Sequence, residues 1–328
     1  MEQKKQNEQP LMVTIRCITY NHEPYIRDCL EGFVMQQTNF RFEAIVHDDA
    51  STDGTAAIIK EYAEKYPDII KPIFETENQY SKHDGSLNRI MNEHTHGKYV
   101  AYCEGDDYWI DPLKLQKQVD FLEEHPDYSM CWTDAYQETN GEKKAYHRYP
   151  TSMQTPIKDI IEQGGLWIPT ASTIYRSEIP LTLPKDTISC DYTMQMFGAF
   201  NGKAYYIEDQ TCVYRYMSIG SWTSNVGKET IAQTRKRFEG EKKILEQFNK
   251  ISNQRYSEYF ERRSAIVLFK FTYFLKMYSE AREYLLLRDK YNIPTPKVVR
   301  LDVNGLTFIA QMYRLYAKIK IKLIDLLK

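Results

Sequence analysis

The sequence lacks several features that would assign a protein to a class at once. Its six cysteines include no CxxC pair, so neither a zinc site nor a secreted disulfide framework is predicted. No run approaches the ~20 apolar residues that cross a bilayer, and the first ten residues contain no apolar signal segment. The formal net charge of −2 lacks the basic excess typical of proteins that coat nucleic acid. We expect a cytoplasmic globular protein with no nucleic-acid partner.

The first half of the chain alternates between short apolar runs and segments with helical periodicity. Leu11–Thr19, Phe42–His47 and Tyr99–Cys103 read as strands, and Tyr25–Gln37 and Thr55–Lys65 read as helices. This alternation predicts βαβ units and an α/β fold with a mainly parallel sheet flanked by helices. Ligands of such sheets collect at the C-terminal ends of the strands, and polar clusters stand at these ends here.

The pattern of apolar residues changes twice along the chain. Strand-like patches at Met130–Thr133, Ala171–Tyr175, Ala204–Ile207 and Cys212–Tyr216 surround a helix from Asp191, and beyond residue 223 the pattern is helical. We therefore predict a polar tail at 1–10, an α/β domain at 11–226 and a helical region at 227–328.

One polar tract, His47 to Thr55, lies between a predicted strand and a predicted helix. Its hydroxyl and carboxylate groups suit the capping of that helix, whatever else they do. The early spacing also resembles a calcium loop, but Lys60 stands where such a loop needs its closing glutamate. A calcium site of that kind is excluded.

A second polar tract, Glu104-Gly105-Asp106-Asp107, follows a predicted strand. Three neighbouring carboxylates repel one another unless a cation neutralises them. Hard cations such as Mg²⁺ and Mn²⁺ favour these oxygens, usually together with substrate phosphates. The alternative is a solvated acidic turn before a helix that starts near Pro112. Asp191, at the start of a later helix, is likewise either a functional carboxylate or a residue that stabilises the helix N-terminus.

Taken together, these clusters resemble the family 2 glycosyltransferases, which have a GT-A fold. The resemblance runs from about Val13 to Trp222. Its motifs are Thr14–Asn21 in the opening strand and turn, Asp48–Thr55, and Glu104–Trp109, which is followed by Asp111-Pro112 and Lys114-Leu115. Three such motifs in order are far more specific than one.

The resemblance implies a role for each matching residue. Tyr20 would stack on the nucleotide base and Asp49 would hydrogen-bond the base edge. Asp106 would bind Mn²⁺ or Mg²⁺ with Glu104, and Asp191 would be the catalytic base. The implied donor-binding residues are Thr19, Tyr20, Asn21, Asp49, Glu104 and Asp107.

The implied reaction is metal-assisted sugar transfer with inversion, from a nucleoside-diphosphate sugar to a hydroxyl of a glycan or a lipid-linked acceptor. UDP is the carrier that the family favours, with GDP and dTDP left open, and surface polysaccharide assembly is the implied setting. The chain departs from the family pattern at Glu104, which replaces an aspartate, and at Cys190, which replaces a glutamate. Asn88-Arg89 replaces an Arg-Asn pair. A QxxRW motif is missing, which predicts a non-processive enzyme.

Two other functions stay open on the sequence alone. One is a nucleotide-sugar-binding module without turnover, and the other is a metal-dependent nucleotidyltransferase or phosphohydrolase. Leu306–Leu327 forms an amphipathic pattern with a basic polar face. It would lie peripherally on the inner face of the cell membrane, pack on preceding helices, or contact a second subunit in an oligomer.

Overall fold

The computed structural model describes residues 10–188, 190–218, 221–226, 228–307, 309–312 and 315. They form two compact units, one of residues up to 160 together with 164–228, and one of residues 161–163 together with those from 229 onwards. Within the described residues, no helix combines the length and the apolar character that crossing a membrane requires.

The first unit is built on a sheet of ten strands among the described residues. The strands are β1 (Leu11–Thr19), β2 (Arg41–Asp48), β3 (Ile70–Phe74), β4 (Tyr99–Tyr102), β5 (Tyr108–Trp109), β6 (Tyr128–Thr139), β7 (Glu142–Tyr146), β8 (Met153–Gln154), β9 (Ile174–Arg176) and β10 (Lys203–Arg215). Their order is β3-β2-β1-β4-β9-β6-β10-β5, with β7 beside β6 and β8 beside β10.

The sheet is mixed. β3, β2, β1 and β4 run parallel, as do β6 and β10, whereas β9 is antiparallel to both of its neighbours, β4 and β6. β1 lies inside the parallel part with Val13, Ile15 and Cys17 fully buried, which explains its almost continuous apolar sequence. The α/β fold class is confirmed, and the sheet is less parallel than the alternation of elements predicts, because β5, β7, β8 and β9 all pair antiparallel with their neighbours.

Helices connect the strands and make up the second unit. Two 3-10 turns, Tyr80–Lys82 and Thr170–Ser172, also occur among the described residues. The helices are α1 (Ile26–Val34), α2 (Thr55–Lys65), α3 (Ser86–Glu93), α4 (Lys114–Glu124), α5 (Ile157–Gln163), α6 (Glu178–Thr182), α7 (Asp191–Asn201), α8 (Trp222–Val226), α9 (Ile231–Ile251), α10 (Ser257–Phe274), α11 (Tyr278–Lys290) and α12 (Lys297–Val303).

Apolar faces of these helices form the cores of both units. Leu30 and Phe33 of α1 and Ile59 of α2 are fully buried in the core beside the sheet. In the second unit, Phe269 and Leu285 pack in a smaller cluster. Burial of such side chains stabilises the fold by about 1.5–3 kcal/mol each.

Two predictions about strands differ from the observed structure. In the predicted strand patch Ala171–Tyr175, residues 171 and 172 belong to the 3-10 turn Thr170–Ser172, and only 174 and 175 belong to β9. The strand patches Ala204–Ile207 and Cys212–Tyr216 belong to one strand, β10, whose register shifts between Ile207 and Cys212 interrupt the apolar pattern. The predicted helix Leu306–Leu327 lies largely outside the described residues. Those of its residues that are described beyond 306, namely 307, 309–312 and 315, are helical.

Candidate active site

Two polar turns that follow β1 and β2 are bonded to each other. We call them the paired turns, residues 21–23 and 51–55. The Asn21 amide donates to Ser51 Oγ (2.9 Å), and the Thr52 amide donates to Asn21 Oδ1 (2.8 Å). The Gly54 amide donates to Glu23 Oε2 (2.9 Å). The side chains of each turn thus satisfy the backbone of the other, which is a different use of these groups from the predicted capping of α2.

Asp53 is the most heavily bonded carboxylate of the paired turns. Its Oδ1 accepts from the Thr55 amide (3.0 Å) and from Thr55 Oγ1 (2.6 Å), and its Oδ2 accepts from the Glu23 amide (3.1 Å). Burial raises the pKa of Asp53, but these hydrogen bonds outweigh burial and hold the pKa below its ordinary value. Asp53 therefore stabilises the turn as an ionised group.

Asp49 anchors the loop that follows β3. Its Oδ1 accepts from the Gln79 amide (2.6 Å), its Oδ2 accepts from the Tyr80 amide (3.0 Å), and its side chain is only 1% exposed. The bonded loop presents Tyr80, which is 61% exposed. The sequence pattern did not single out Tyr80, because a lone tyrosine in a loop carries no motif. The predicted contact of Asp49 with a base edge stays a prediction.

The predicted donor turn lies against the second acidic tract. Tyr20 is 45% exposed, whereas Thr19 is buried and its Oγ1 has no hydrogen-bond partner among the described residues. A Cβ on Gly105 would lie 2.6 Å from Thr19 Oγ1 and 2.9 Å from His22 Nδ1. Only glycine fits at this approach, so Gly105 lets the loop after β4 close against the end of β1.

Four carboxylates, Glu104, Asp106, Asp107 and Asp191, form what we call the acidic cleft. Burial raises the pKa of Glu104 well above its ordinary value, and the charges of Asp191 and Asp106 add to this shift. Glu104 as a whole residue keeps solvent-exposed surface, so its carboxylate lies beside the other charges and is also reached by water. Burial first, and then the charge of Asp106, also raises the pKa of Asp107. The structure thus brings the predicted metal, donor and base carboxylates together.

Residues from the end of β10 hold the loop that carries Asp106 and Asp107. Ser218 Oγ donates to Asp106 Oδ2 (2.8 Å), and the Arg215 amide donates to Asp107 Oδ1 (2.8 Å). The Arg215 guanidinium donates to the Asp106 carbonyl (2.9 Å) and lies 4.3 Å from the centre of the Tyr108 ring. The sequence reasoning missed Arg215 and Ser218, which stand more than 100 positions after the carboxylates that they contact.

Asp191 is the first residue of α7. Thr170 Oγ1 donates to Asp191 Oδ2 (2.7 Å). Burial raises the pKa of Asp191 above its ordinary value, although the hydrogen bond from Thr170 lowers it. Its charge acts on Tyr80 and Tyr102, which places all three in one region of the cleft. A carboxylate with a raised pKa is a stronger base than an ordinary one.

The donor set fits a hard divalent cation that arrives with phosphate ligands. No group of three or more His, Cys, Asp or Glu side chains in the described part of the chain is placed to hold a metal ion alone. Mg²⁺ commonly uses one or two carboxylates and completes its shell with substrate phosphates and water. Asp106 and Glu104 supply such oxygens, and their mutual repulsion favours a cation between them.

The family model described as glycosyl transferase family 2 matches residues 14–198, more than half of the chain and the whole acidic cleft. This chain belongs to glycosyltransferase family 2. The match ends before Arg215 and Ser218, so it contains the carboxylates but not the residues that hold their loop.

The chain covers less than two thirds of the length of two of the relatives that it matches. An uncharacterised protein of Mycobacterium tuberculosis is 35% identical over 213 residues, which cover 65% of this chain and 61% of that protein. An Escherichia coli protein named UDP-Glc:alpha-D-GlcNAc-diphosphoundecaprenol beta-1,3-glucosyltransferase is 30% identical over 112 residues, 34% of this chain and 41% of its own.

Two solved structures share the fold at low sequence identity. Residues 1–349 of TarS from S. aureus, in complex with UDP-GlcNAc, align with a TM-score of 0.63 at 17% identity over 93% of this chain and 92% of theirs. A mannosyltransferase from Pyrobaculum calidifontis, in complex with GDP-Man and Mn²⁺, aligns with a TM-score of 0.53 at 17% identity over 98% of this chain and 90% of its own. The GT-A fold is confirmed.

Proposed function

We propose that this glycosyltransferase moves one sugar at a time, with inversion, from a nucleoside-diphosphate sugar to a hydroxyl of a glycan or lipid-linked acceptor. The observation that carries the proposal is the acidic cleft, where Glu104, Asp106 and Asp191 lie close enough for their charges to interact. The named donors of the E. coli relative and of TarS support UDP as the carrier. The relative's diphosphoundecaprenol acceptor supports a setting in surface polysaccharide assembly.

The donor would bind across the ends of β1 and β2. Tyr20 is exposed enough to stack on a base, and Asn21 is fixed beside it by its bonds to the partner turn. Asp49 would contact the base edge and also sets the position of Tyr80. Glu104, Thr19 and Asp107 complete the proposed set; Asp107 would act mainly by holding its loop, because its carboxylate is bonded to Arg215 and buried.

Asp106 and Glu104 would hold Mn²⁺ or Mg²⁺ together with the donor phosphates. When bound, the cation would supply Lewis-acid stabilisation of the leaving diphosphate. Ser218 fixes Asp106 through Oδ2, and Arg215 fixes the backbone of the same residue. These bonds keep the Asp106 carboxylate in one orientation.

Asp191 would remove the proton from the attacking acceptor hydroxyl as general base. Its Oδ2 is bonded to Thr170, so Oδ1 is the oxygen that would take this proton. The raised pKa of Asp191, which burial causes, favours proton capture once the hydroxyl begins to attack. Attack from the side opposite the diphosphate inverts the anomeric carbon without a covalent intermediate.

A peripheral membrane contact through the C-terminal segment is part of the proposal. Leu306, Ile309, Met312 and Leu315 recur every three residues and are each 44–54% exposed, whereas Ala310 is buried. Four basic residues follow between 314 and 322 in the sequence. Exposed apolar residues that are followed in the sequence by basic ones suit an anionic lipid surface. Flotation with anionic vesicles tests this, and a Leu306→Glu/Ile309→Glu variant should lose flotation; equal flotation of both proteins would contradict it.

Calorimetric titration tests the donor site. We expect UDP, GDP or dTDP to bind in the presence of Mn²⁺, to lose affinity in EDTA, and to lose it also in Asp106→Asn. Asp127→Asn is the matched control, because Asp127 pairs with Lys203 (2.6 Å) on the surface before β6. Binding of no nucleotide under any metal condition would contradict the proposal. Binding without sugar transfer to water or any acceptor would favour a binding module instead.

A further inference from the structure

Thr170 lies beside the proposed base at the start of α7. The 3-10 turn Thr170–Ser172 precedes β9, and Thr170 Oγ1 donates to Asp191 Oδ2 at 2.7 Å. A hydroxyl that donates to an ionised carboxylate forms a short, strong hydrogen bond and fixes the orientation of the acceptor. Asp191 is thereby held in one orientation from outside its own helix.

Buried donors of the segment after the acidic tract hold this turn. Trp109 Nε1 donates to the Ala171 carbonyl (2.8 Å), and Gln118 Nε2 donates to the Ser172 carbonyl (2.9 Å). Lys114 Nζ in turn donates to Gln118 Oε1 (2.6 Å), and Lys114 and Gln118 are fully buried. Buried side chains with satisfied polar groups have little freedom to move.

The proposed metal site and the proposed base are therefore both connected to Trp109. Trp109 stands three positions after Asp106, on the same segment that carries the proposed metal ligands. Through Ala171 the same tryptophan fixes the turn that orients Asp191. A displacement of this segment would move the metal side and the base side together.

We propose that Thr170 is a positioning residue for Asp191, and that Trp109 and Gln118 fix the turn from which Thr170 acts. This inference rests on the proposed function of Asp191 as the base. With Oδ2 bonded to Thr170, Oδ1 is directed to the acceptor hydroxyl. Misplacement of a reacting group by about 1 Å lowers turnover by up to about 100-fold.

Three threonine variants test the inference without knowledge of the acceptor. The assay follows nucleotide release from UDP-GlcNAc, UDP-glucose, GDP-mannose and dTDP-glucose with Mn²⁺ and water as acceptor. In this step the bond from C1 to the diphosphate oxygen breaks and the diphosphate leaves with the electron pair. A bond from C1 to the water oxygen forms, and the water proton passes to Asp191.

Thr170→Val keeps the β-branched shape but removes the hydroxyl. We expect kcat to fall by about 10- to 100-fold with the KM for the donor unchanged within about two-fold. Thr170→Ser keeps the hydroxyl and should restore most of kcat. Thr182→Val is the matched control, since Thr182 Oγ1 donates to a backbone carbonyl, that of Glu178 (2.6 Å), within α6. It should lower kcat far less than Thr170→Val.

The same substitutions in an Asp191→Asn variant separate the positioning role of Thr170 from the assignment of Asp191 as the base. If Thr170 acts through Asp191, Thr170→Val should cause no further loss in Asp191→Asn. Wild-type turnover in Thr170→Val, equal impairment of the Ser and Val variants, or equal impairment in Thr182→Val would overturn the positioning role. Full activity of Asp191→Asn would instead overturn the base assignment, and release of no nucleotide by the wild-type protein would overturn the proposed function itself.

Discussion

The paired turns and the acidic cleft are both rich in carboxylates at strand ends, yet their electrostatics are opposite. In the paired turns, Asp53 accepts from two backbone amides and a hydroxyl, and its pKa lies below the ordinary value in spite of burial. In the acidic cleft, burial and the neighbouring charges of Asp191 and Asp106 raise the pKa of Glu104.

This difference separates a structural use of acidic residues from a functional one. Carboxylates that already accept hydrogen bonds stabilise the chain and do not require a ligand. Carboxylates that face one another are left with an excess of negative charge, which a cation or a proton relieves. Strongly perturbed carboxylates in a cleft are characteristic of functional sites. The contrast supports assigning the chemistry to the cleft and assigning Asp53 to the turn.

The largest expected effect is on turnover. Asp191→Asn should lower kcat for nucleotide release by about 10²- to 10⁴-fold, because a general base contributes a factor of that size. Asp53→Asn should retain turnover within a few-fold, as it belongs to the paired turns. Steady-state kinetics with the donor identified by calorimetry measure both. Comparable losses in the two variants would remove the distinction drawn between the two regions.

A smaller effect is expected on stability, from a substitution in the paired turns. Asp53→Ala removes three accepted hydrogen bonds and should lower the free energy of unfolding by about 1–2 kcal/mol. Urea denaturation of the ligand-free protein measures it, with the exposed Asp68→Ala in the loop before β3 as control. Since the folded pKa of Asp53 is depressed, its contribution is present at neutral pH and is lost as the pH falls through that pKa. An unchanged free energy of unfolding would show that the hydrogen bonds of Asp53 do not stabilise the protein.

The smallest expected effect is also on stability, but it is a gain where Asp53→Ala gives a loss. Burial and the charges of Asp191 and Asp106 raise the folded pKa of Glu104, so the folded state binds a proton more tightly than the unfolded state. Stability is therefore lost as the pH rises through the window between these two pKa values. Glu104→Gln should raise the melting temperature of the metal-free protein at pH 7 by about 1–3 °C, because solvent screening at this exposed group keeps the gain small.

Two comparisons check the sign of this effect. The gain from Glu104→Gln should vanish near pH 4, where the carboxyl is protonated in both states. Glu124→Gln, at the exposed end of α4, should leave the melting temperature unchanged at either pH. A lower melting temperature in Glu104→Gln at pH 7 would show that Glu104 is stabilised by partners rather than strained by neighbours.

Local sequence patterns predicted the elements that carry the site. β1 and α2 have the bounds expected from the sequence, since a β-branched apolar run and an amphipathic segment after a polar turn are local signals. The family resemblance is confirmed, and the cleft contains the four carboxylates that it implied. Their individual roles and the domain bounds at 11–226 and 227–328 stay predictions.

Contacts between distant positions were not predictable from local patterns. Arg215 and Ser218 reach Asp106 and Asp107 across more than 100 positions, and nothing in the intervening sequence marks them as partners. Thr170 meets Asp191 because a 3-10 turn and a helix start adjoin in space. The antiparallel β9 likewise depends on tertiary pairing with β4 and β6, which alternation of elements does not encode.

The bonds from β10 to the acidic loop have a consequence for the order in which a growing chain acquires its chemistry. During synthesis, residues 104–107 leave the ribosome well before residues 215–218. The acidic loop is therefore made before Arg215 and Ser218, which restrain it, are available. A fragment that stops at residue 198 would contain every proposed reacting group of the cleft and still lack the two side chains that restrain Asp106. The nascent protein therefore lacks these restraints on Asp106 until residues 215–218, at and just beyond the end of β10, have been translated.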